Sequence, residues 1–438
     1  MMKVKPSRYN ILHSSENGNL LVFNSKSGAA LCLDEDKHIE KAKIILLNDV
    51  PSLYDEELFK VFTELGLLIN IDSNETEEVI KLYNENFQSN KKLHITIFPT
   101  LKCNFNCSYC FVDAKFDIDM QFNTLDAILL YIENKMRINQ DLIEIEIVWF
   151  GGEPLLAKSS IIYFMQQLNK INTHYNKIVS SVLVTNGYLL NIESFKQLHE
   201  VGIVNYQVTF DGYKTTHDKK RHLNNGFPTF DVILTNLLTI KKAFLGDFKI
   251  NIRSNFMKDT VQSQYQLIDC LLDQLLNDNR FSVEFKPIQD ILGNGLDNIC
   301  SVDTNGDLVI SFTRYIAESI KKMSNLVYSY SLLPSPIKKW CNASLNDSII
   351  IKPNGEIYAC DSCVSDKSQI IGKITDDGTI NYTDVFGKWK GNVQLEKECL
   401  ACILLPLCMG GCKRKRLQNN AQCPINTEQI TKYLENMK

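Results

Sequence analysis

Short apolar runs separated by turn residues open the chain. YNIL starts at Tyr9, LLVF at Leu20 and ALCL at Ala30, with Glu16-Asn17-Gly18-Asn19 and a second turn over Ser25 to Gly28 between them. Such punctuation predicts a meander of three short strands. Helical periodicity follows at residues 37–47, 56–65 and 75–87, and Gly66 directly after the second segment is a natural C-terminal cap. The first 90 residues therefore read as a three-stranded sheet followed by helices, a layout like that of a winged helix.

From His94 the pattern changes. Apolar strands at residues 95–100, 145–150, 180–185, 205–210, 249–254 and 282–287 alternate with amphipathic stretches such as 125–136, 161–171 and 230–244. Six strands with helices between them predict an α/β fold in which a parallel sheet winds into an open or partial barrel. Active sites in such sheets sit beyond the carboxyl ends of the strands. Past Pro287 the alternation fades, and from Cys341 the chain is turn-rich, with little hydrophobic periodicity. A segment of that kind needs metal staples to be stable.

Composition narrows the function classes. The net charge is -4 over 438 residues with both signs interspersed, which gives no footprint for nucleic acid or an anionic membrane. The helix at 75–87 is acidic and would repel phosphate, so the N-terminal module is expected to dock a peptide along a sheet edge rather than bind DNA. No apolar run is long enough to span a bilayer and the first ten residues lack an apolar signal region, so a cytoplasmic location is expected. Of 14 cysteines, eleven fall in two groups, residues 103–110 and 341–423. In a long chain of this kind such grouping points to metal ligands rather than disulfides. Cys32, Cys270 and Cys300 stand alone and are expected to be buried as small apolar residues.

LKCNFNCSYCF follows the first barrel strand and sets Cys103, Cys107 and Cys110 at CxxxCxxC spacing. Three thiolates on one loop hold three irons of a four-iron four-sulfur cluster and leave the fourth iron open to a ligand. A zinc site, the alternative, calls for four closed ligands in paired CxxC units. WFGGEPLL follows the second strand, where Gly151 and Gly152 permit close backbone approach and exposed carbonyls with the Glu153 carboxylate would accept from an ammonium. Gly-Gly-Glu-Pro by itself also makes an ordinary turn; its place one strand and one helix after the cysteine loop makes it specific.

With Tyr109 before the last cysteine, this stretch resembles the radical S-adenosylmethionine (SAM) superfamily. The resemblance implies that the open iron chelates SAM, that one electron cleaves it to a 5'-deoxyadenosyl radical, and that Gly151, Gly152, Glu153 and Pro154 contact the methionine amino group. Thr185 and Asn186 after the third strand, Gln207 and Asp211 on the fourth, and Arg253 on the fifth resemble the family's later SAM and substrate loops. His217, Asp218, Arg221 and Asn255 belong to the same resemblance.

The C-terminal block resembles the SPASM domain of radical SAM enzymes that modify peptides and proteins. Its cysteines are Cys341, Cys360, Cys399, Cys402, Cys408, Cys412 and Cys423. The resemblance implies two auxiliary iron-sulfur clusters, one on Cys341, Cys360 and Cys412 with Cys363 as a candidate fourth ligand or an open site, the other on Cys399, Cys402, Cys408 and Cys423. A pair of structural zinc sites is the alternative. Asp361, beside Cys360, matches the aspartate that serves as a base in relatives making formylglycine in sulfatases; a cap or turn residue is the other reading.

The expected architecture is thus a partial (β/α)6 TIM-like radical SAM barrel at 91–320. A winged-helix-like peptide-recognition module at 1–90 precedes it and a SPASM domain at 321–438 follows. The resemblance implies a maturase that abstracts hydrogen from a ribosomally made precursor peptide and forms a thioether or carbon-carbon crosslink. Its partners would be that peptide, docked by its leader on the N-terminal module, and a reductase such as flavodoxin or ferredoxin. The alternatives are an oxidase like the anaerobic sulfatase maturases and a non-catalytic iron-sulfur protein.

Overall fold

The computed structural model describes residues 3–47, 55–87, 90–112, 117–288, 307–323, 333–337, 341–391, 395–418 and 423–435. They group into two packed units: residues 1–89 with 329–341 and 392–438, and residues 90–328 with 342–391.

In the first unit, β2 (Asn10–Ser14), β3 (Leu20–Asn24) and β4 (Ala30–Leu33) form the antiparallel meander read from the sequence. A second pair, β1 (Val4–Pro6) with β5 (Leu68–Asn70), escaped that reading because three residues are too few to show a period of two. Helices α1 (Asp36–Leu47), α2 (Glu56–Glu64) and α3 (Glu75–Phe87) stand where periodicity put them. Asp55 caps α2 by accepting from the Leu58 amide at 3.2 Å, and Gly66 ends it at φ 73°. Every residue of β3 is buried. Leu20 and Val22 face α1 and α2, while Leu21 and Phe23 pack on Leu404, Leu407, Ile430 and Leu434. Period-two alternation thus feeds two cores at once, which is why the C-terminal segment belongs to this unit.

The second unit is built on one sheet. β6 (Lys92–Ile97), β7 (Glu144–Trp149), β8 (Ile178–Thr185), β9 (Asn205–Phe210), β10 (Lys249–Phe256) and β11 (Phe281–Pro287) lie side by side in chain order, all parallel. Between them run α4 (Phe122–Ile138), α5 (Lys158–Asn172), α6 (Ile192–Glu200), α7 (Lys214–Lys220), α8 (Phe230–Ala243) and α9 (Val261–Gln274). Ile95, Ile97, Ile147, Trp149, Val208, Phe210 and Ile252 point into one continuous core with the helices. The alternate positions are polar, including His94, Thr96, Glu146, Gln207, Arg253 and Asn255. One face of the sheet is therefore packed and the other is chemically equipped.

Two expectations need correction. The segment after Cys341 is not without apolar order. β12 (Ser348–Ile351) pairs in parallel with β6, and β13 (Glu356–Tyr358), β14 (Gly372–Ile374) and β15 (Ile380–Tyr382) follow antiparallel, extending the sheet to ten strands. Ile349, Ile351 and Ile357 are fully buried in the main core. A bare isoleucine run lacks the alternation of a half-buried strand because both of its faces are covered. Cys32 is exposed on β4 rather than buried, Cys270 in α9 is half-buried, and Cys300 lies outside the described residues. The helix Asp307–Met323 sets Phe312 and Ile316 against Phe256, Ile268 and Phe285.

Candidate cofactor site

Cys103, Cys107 and Cys110 occupy the loop beyond the carboxyl end of β6. Its floor is apolar: Phe98, Leu101 and Val112 pack with Ile350, Tyr358 and Val364, and Phe150 meets Phe98 edge-on at 5.3 Å. From the side, the stretch after α7 braces it. The Asn106 amide donates to the His222 carbonyl at 3.0 Å, the Asn224 amide to Asn104 at 3.0 Å, and the Asn224 side chain to the Cys103 carbonyl at 2.9 Å.

The Gly-Gly-Glu-Pro loop lies directly on this backbone. The Gly152 amide donates to the Thr100 carbonyl at 3.2 Å and the Glu153 amide to the Lys102 carbonyl at 2.8 Å. A Cβ on Gly152 would stand 2.1 Å from the Lys102 oxygen, and Gly151 has φ +119°. Both glycines are thus required by loop-on-loop contact. Glu153 is wholly buried, not exposed as its turn setting suggested. One carboxylate oxygen accepts from the Thr185 hydroxyl at 2.7 Å and the Leu155 amide at 3.0 Å, the other from the Asn186 amide at 2.8 Å. Burial pushes its carboxyl up, and these donors oppose the rise. Glu153 therefore joins the β7 and β8 loops, with Pro154 starting the turn that it caps. Asn186 extends the chain of contacts by donating to the Asn104 side chain at 2.8 Å.

On the other side of the cysteine loop, the Tyr109 hydroxyl donates to Asp211 and receives from Arg221 Nη1 at 2.8 Å. Asn255 Nδ2 lies 3.3 Å from both the Tyr109 hydroxyl and Asp211. Arg253 Nε donates to the Asn255 side chain at 3.3 Å, so it belongs to the same polar face. Gln207, mid-strand on β9, shares that face without joining the network. Arg221 and Asn255, which the resemblance sets among the family's SAM and substrate loops, thus meet in one network with Tyr109 and Asp211.

The donor set fits an iron-sulfur cluster. None of the thirteen described cysteines is in a disulfide. Burial pushes the Cys103 thiol up to about 12 and the Cys107 thiol to about 11, each raised further by nearby thiols and carboxylates. Such thiols bind metal with release of protons. Among the described residues no three His, Cys, Asp or Glu side chains converge around a single ion, whereas cluster ligands each take a separate iron and stand wider apart.

The C-terminal cysteines are divided between the units. Cys399, Cys402, Cys408 and Cys423 all lie in the first; burial raises the Cys408 thiol, and the other three raise it further as close neighbours. Arg416 Nη2 donates to Cys399 Sγ at 3.2 Å. Cys341 and Cys412 are in the same unit, and Cys360 and Cys363 are in the second. The Cys360 thiol is raised first by its hydrogen bond with Cys363, so those two sulfurs meet. Asp361 is exposed, and its carboxylate accepts from the Ser362 amide at 2.7 Å within its own turn.

Residues 97–253 match the Radical SAM superfamily. The cysteine-type anaerobic sulfatase-maturating enzyme of Clostridium perfringens (strain 13 / Type A) is 25% identical over 338 residues, 72% of this chain and 86% of that enzyme. Among solved structures, native anSMEcpe with bound AdoMet and Kp18Cys peptide has TM-score 0.57 at 19% identity, covering 78% of this chain and 96% of that one. Streptococcus suis SuiB bound to precursor peptide SuiA has TM-score 0.56 at 15% identity, covering 97% and 99%. At these identities the two structures establish a shared fold. The chain thus carries a radical SAM domain and is a radical SAM enzyme related to the anaerobic sulfatase-maturating enzymes, with a four-iron four-sulfur cluster and SAM as cofactors.

Proposed function

We propose that this enzyme matures a ribosomally made precursor peptide, closing a thioether or carbon-carbon crosslink after hydrogen-atom abstraction. The observation that carries this reading is the extent of the likeness to SuiB, whose structure holds a precursor peptide: it spans 97% of this chain, against 78% for anSMEcpe. The first unit adds β4, an edge strand of the β2-β3-β4 sheet that pairs with no further strand among the described residues.

When bound, the cluster and SAM supply the electron and the 5'-deoxyadenosyl radical that abstracts hydrogen. The chain's own residues do the placing. Cys103, Cys107 and Cys110 hold the cluster, and Glu153, Thr185 and Asn186 lock the loops around it. Gly151, Gly152, Pro154, Gln207, Asp211 and Arg253 shape the SAM and substrate side. Cys399, Cys402, Cys408 and Cys423 hold one auxiliary cluster; Cys360 and Cys363, with Cys341 and Cys412 by sequence position, serve the other. A flavodoxin or ferredoxin supplies electrons in the cytoplasm; among the described residues no helix is long and apolar enough to cross a membrane. The division at 1–90, 91–320 and 321–438 is retained as a division of roles.

The second reading, oxidation of a sulfatase cysteine or serine to formylglycine, draws on the Clostridium relative and on Asp361 as a base. Anaerobic co-expression with a short cysteine-containing peptide encoded beside this gene separates the two. The expected product lacks two hydrogens, one taken as an atom by the 5'-deoxyadenosyl radical and the other lost as a proton whose electron would pass to an auxiliary cluster, and tandem mass spectrometry places the loss at a linkage between two residues. An unmodified peptide together with formylglycine in a sulfatase peptide would refute the proposal.

A further inference from the structure

Arg221 is a cation buried against the cysteine loop, with 9% of its surface exposed. Its Nη1 donates to the Tyr109 hydroxyl at 2.8 Å and its Cζ lies 5.7 Å from the Phe105 ring centre, so the guanidinium touches residues two positions to either side of Cys107. Nη1 also stands 3.9 Å from Asp211 Oδ2. Asp211 is wholly buried and accepts from Tyr109 and Asn255.

Burial pushes the Asp211 carboxyl up, and the Arg221 charge and the Tyr109 hydrogen bond oppose that rise. Both groups are fixed from behind. His217, fully buried, is held neutral by burial and by the nearby Arg221 charge. Its Nδ1 accepts from the Asp211 amide at 3.3 Å, so Nε2 donates to Thr229 Oγ1 at 3.1 Å, and that hydroxyl donates to the Arg221 carbonyl at 2.5 Å. Arg221 Nε is buried without a hydrogen-bond partner, which leaves the cation incompletely compensated.

We propose that Arg221 and Asp211 form a fixed pair of opposite charges that sets the reduction potential of the cluster on Cys103, Cys107 and Cys110. Reduction adds negative charge to a cluster in surroundings too dry to screen it. A rigid cation beside one ligand favours the reduced state and raises the potential; a rigid carboxylate lowers it. Arg221 is thus a positioning residue that acts through the cluster, and this rests on the reading that these three cysteines hold it.

The test is a potentiometric titration of the reconstituted full-length protein without SAM, followed by the electron paramagnetic resonance signal that the triple variant C103A/C107A/C110A lacks. Arg221→Gln is expected to shift the midpoint negative, Asp211→Asn to shift it positive, and Arg221→Lys to stay nearest the wild type. Shifts of the same sign in Arg221→Gln and Asp211→Asn, or none in either, would overturn the proposal. If Arg221→Gln fails to retain iron, the sign of the Asp211→Asn shift decides alone. Absence of any signal dependent on the three cysteines would instead refute the cluster assignment itself.

Discussion

The two cysteine-rich regions are held in different ways. The loop with Cys103, Cys107 and Cys110 hangs from six parallel strands and is gripped by backbone hydrogen bonds from two other loops and by the buried Asp211 carboxylate, which accepts from Tyr109. The block from Cys399 to Cys412 has helices of only five and four residues, Lys397–Ala401 and Leu405–Cys408. Three consecutive left-handed residues, Met409, Gly410 and Gly411, then lead into Cys412. Helices so short are unstable alone. Leu404, Leu405 and Leu407 anchor the block, and the Tyr83 hydroxyl donates to the Met409 carbonyl at 3.2 Å. The contrast predicts that one loop is shaped before metal arrives, while the other needs metal to complete its fold.

The largest expected effect breaks the comparison directly. Stripping iron from the full-length protein should speed amide exchange across residues 395–418 at least about a hundredfold, about 2.7 kcal/mol. Exchange in β6 to β10 should change little. Equal loss of protection in both regions, measured by mass spectrometry, would show that the barrel loop also depends on its cluster.

A smaller effect is expected inside the barrel. Gly152→Ala drives a methyl into the Lys102 carbonyl, 2.1 Å from the ideal Cβ, and should cost about 3 kcal/mol of stability with most of the SAM cleavage. Urea unfolding and 5'-deoxyadenosine production measure the two losses. A variant with wild-type stability and turnover would remove the loop-on-loop clamp from the account.

The third test sharpens the contrast through pH. The hydrogen bond from His94 to Glu146, helped by Lys92, pulls the Glu146 carboxyl from 4.5 down to about 2. A depressed carboxyl contributes stability that is complete above the unfolded value of 4.5 and disappears as pH falls through 2. About 2 kcal/mol should therefore be lost over that window, read as protection at β6 and β7, while residues 395–418 do not share this pH term. Glu146→Gln should flatten the profile; an unchanged profile would dismiss the pair as its source.

Much of this was legible in the chain. The six barrel strands and their helices carry alternation and 3.6-residue periods, and CxxxCxxC followed by Gly-Gly-Glu-Pro reports chemistry through spacing. The three-residue strands β1 and β5 give no such signal, and the burial of Glu153 is invisible because a carboxylate after two glycines reads as surface. Cys32 misled for the opposite reason: a cysteine between two leucines suggests burial, yet it stands exposed on β4, the last strand of the meander, although its partner Leu21 is buried.

What the sequence determined by itself is the set of local conformations and the order of chemical groups along the chain, since short-range periodicity and ligand spacing are written residue by residue. Only tertiary structure decided which distant groups meet. β12 joins β6 across some 250 residues, β3 finds its second core in the C-terminal segment, and Tyr109, Asp211 and Arg221 close one network. These pairings depend on which edges and faces remain uncovered once the sheet has formed, and no local pattern carries that information.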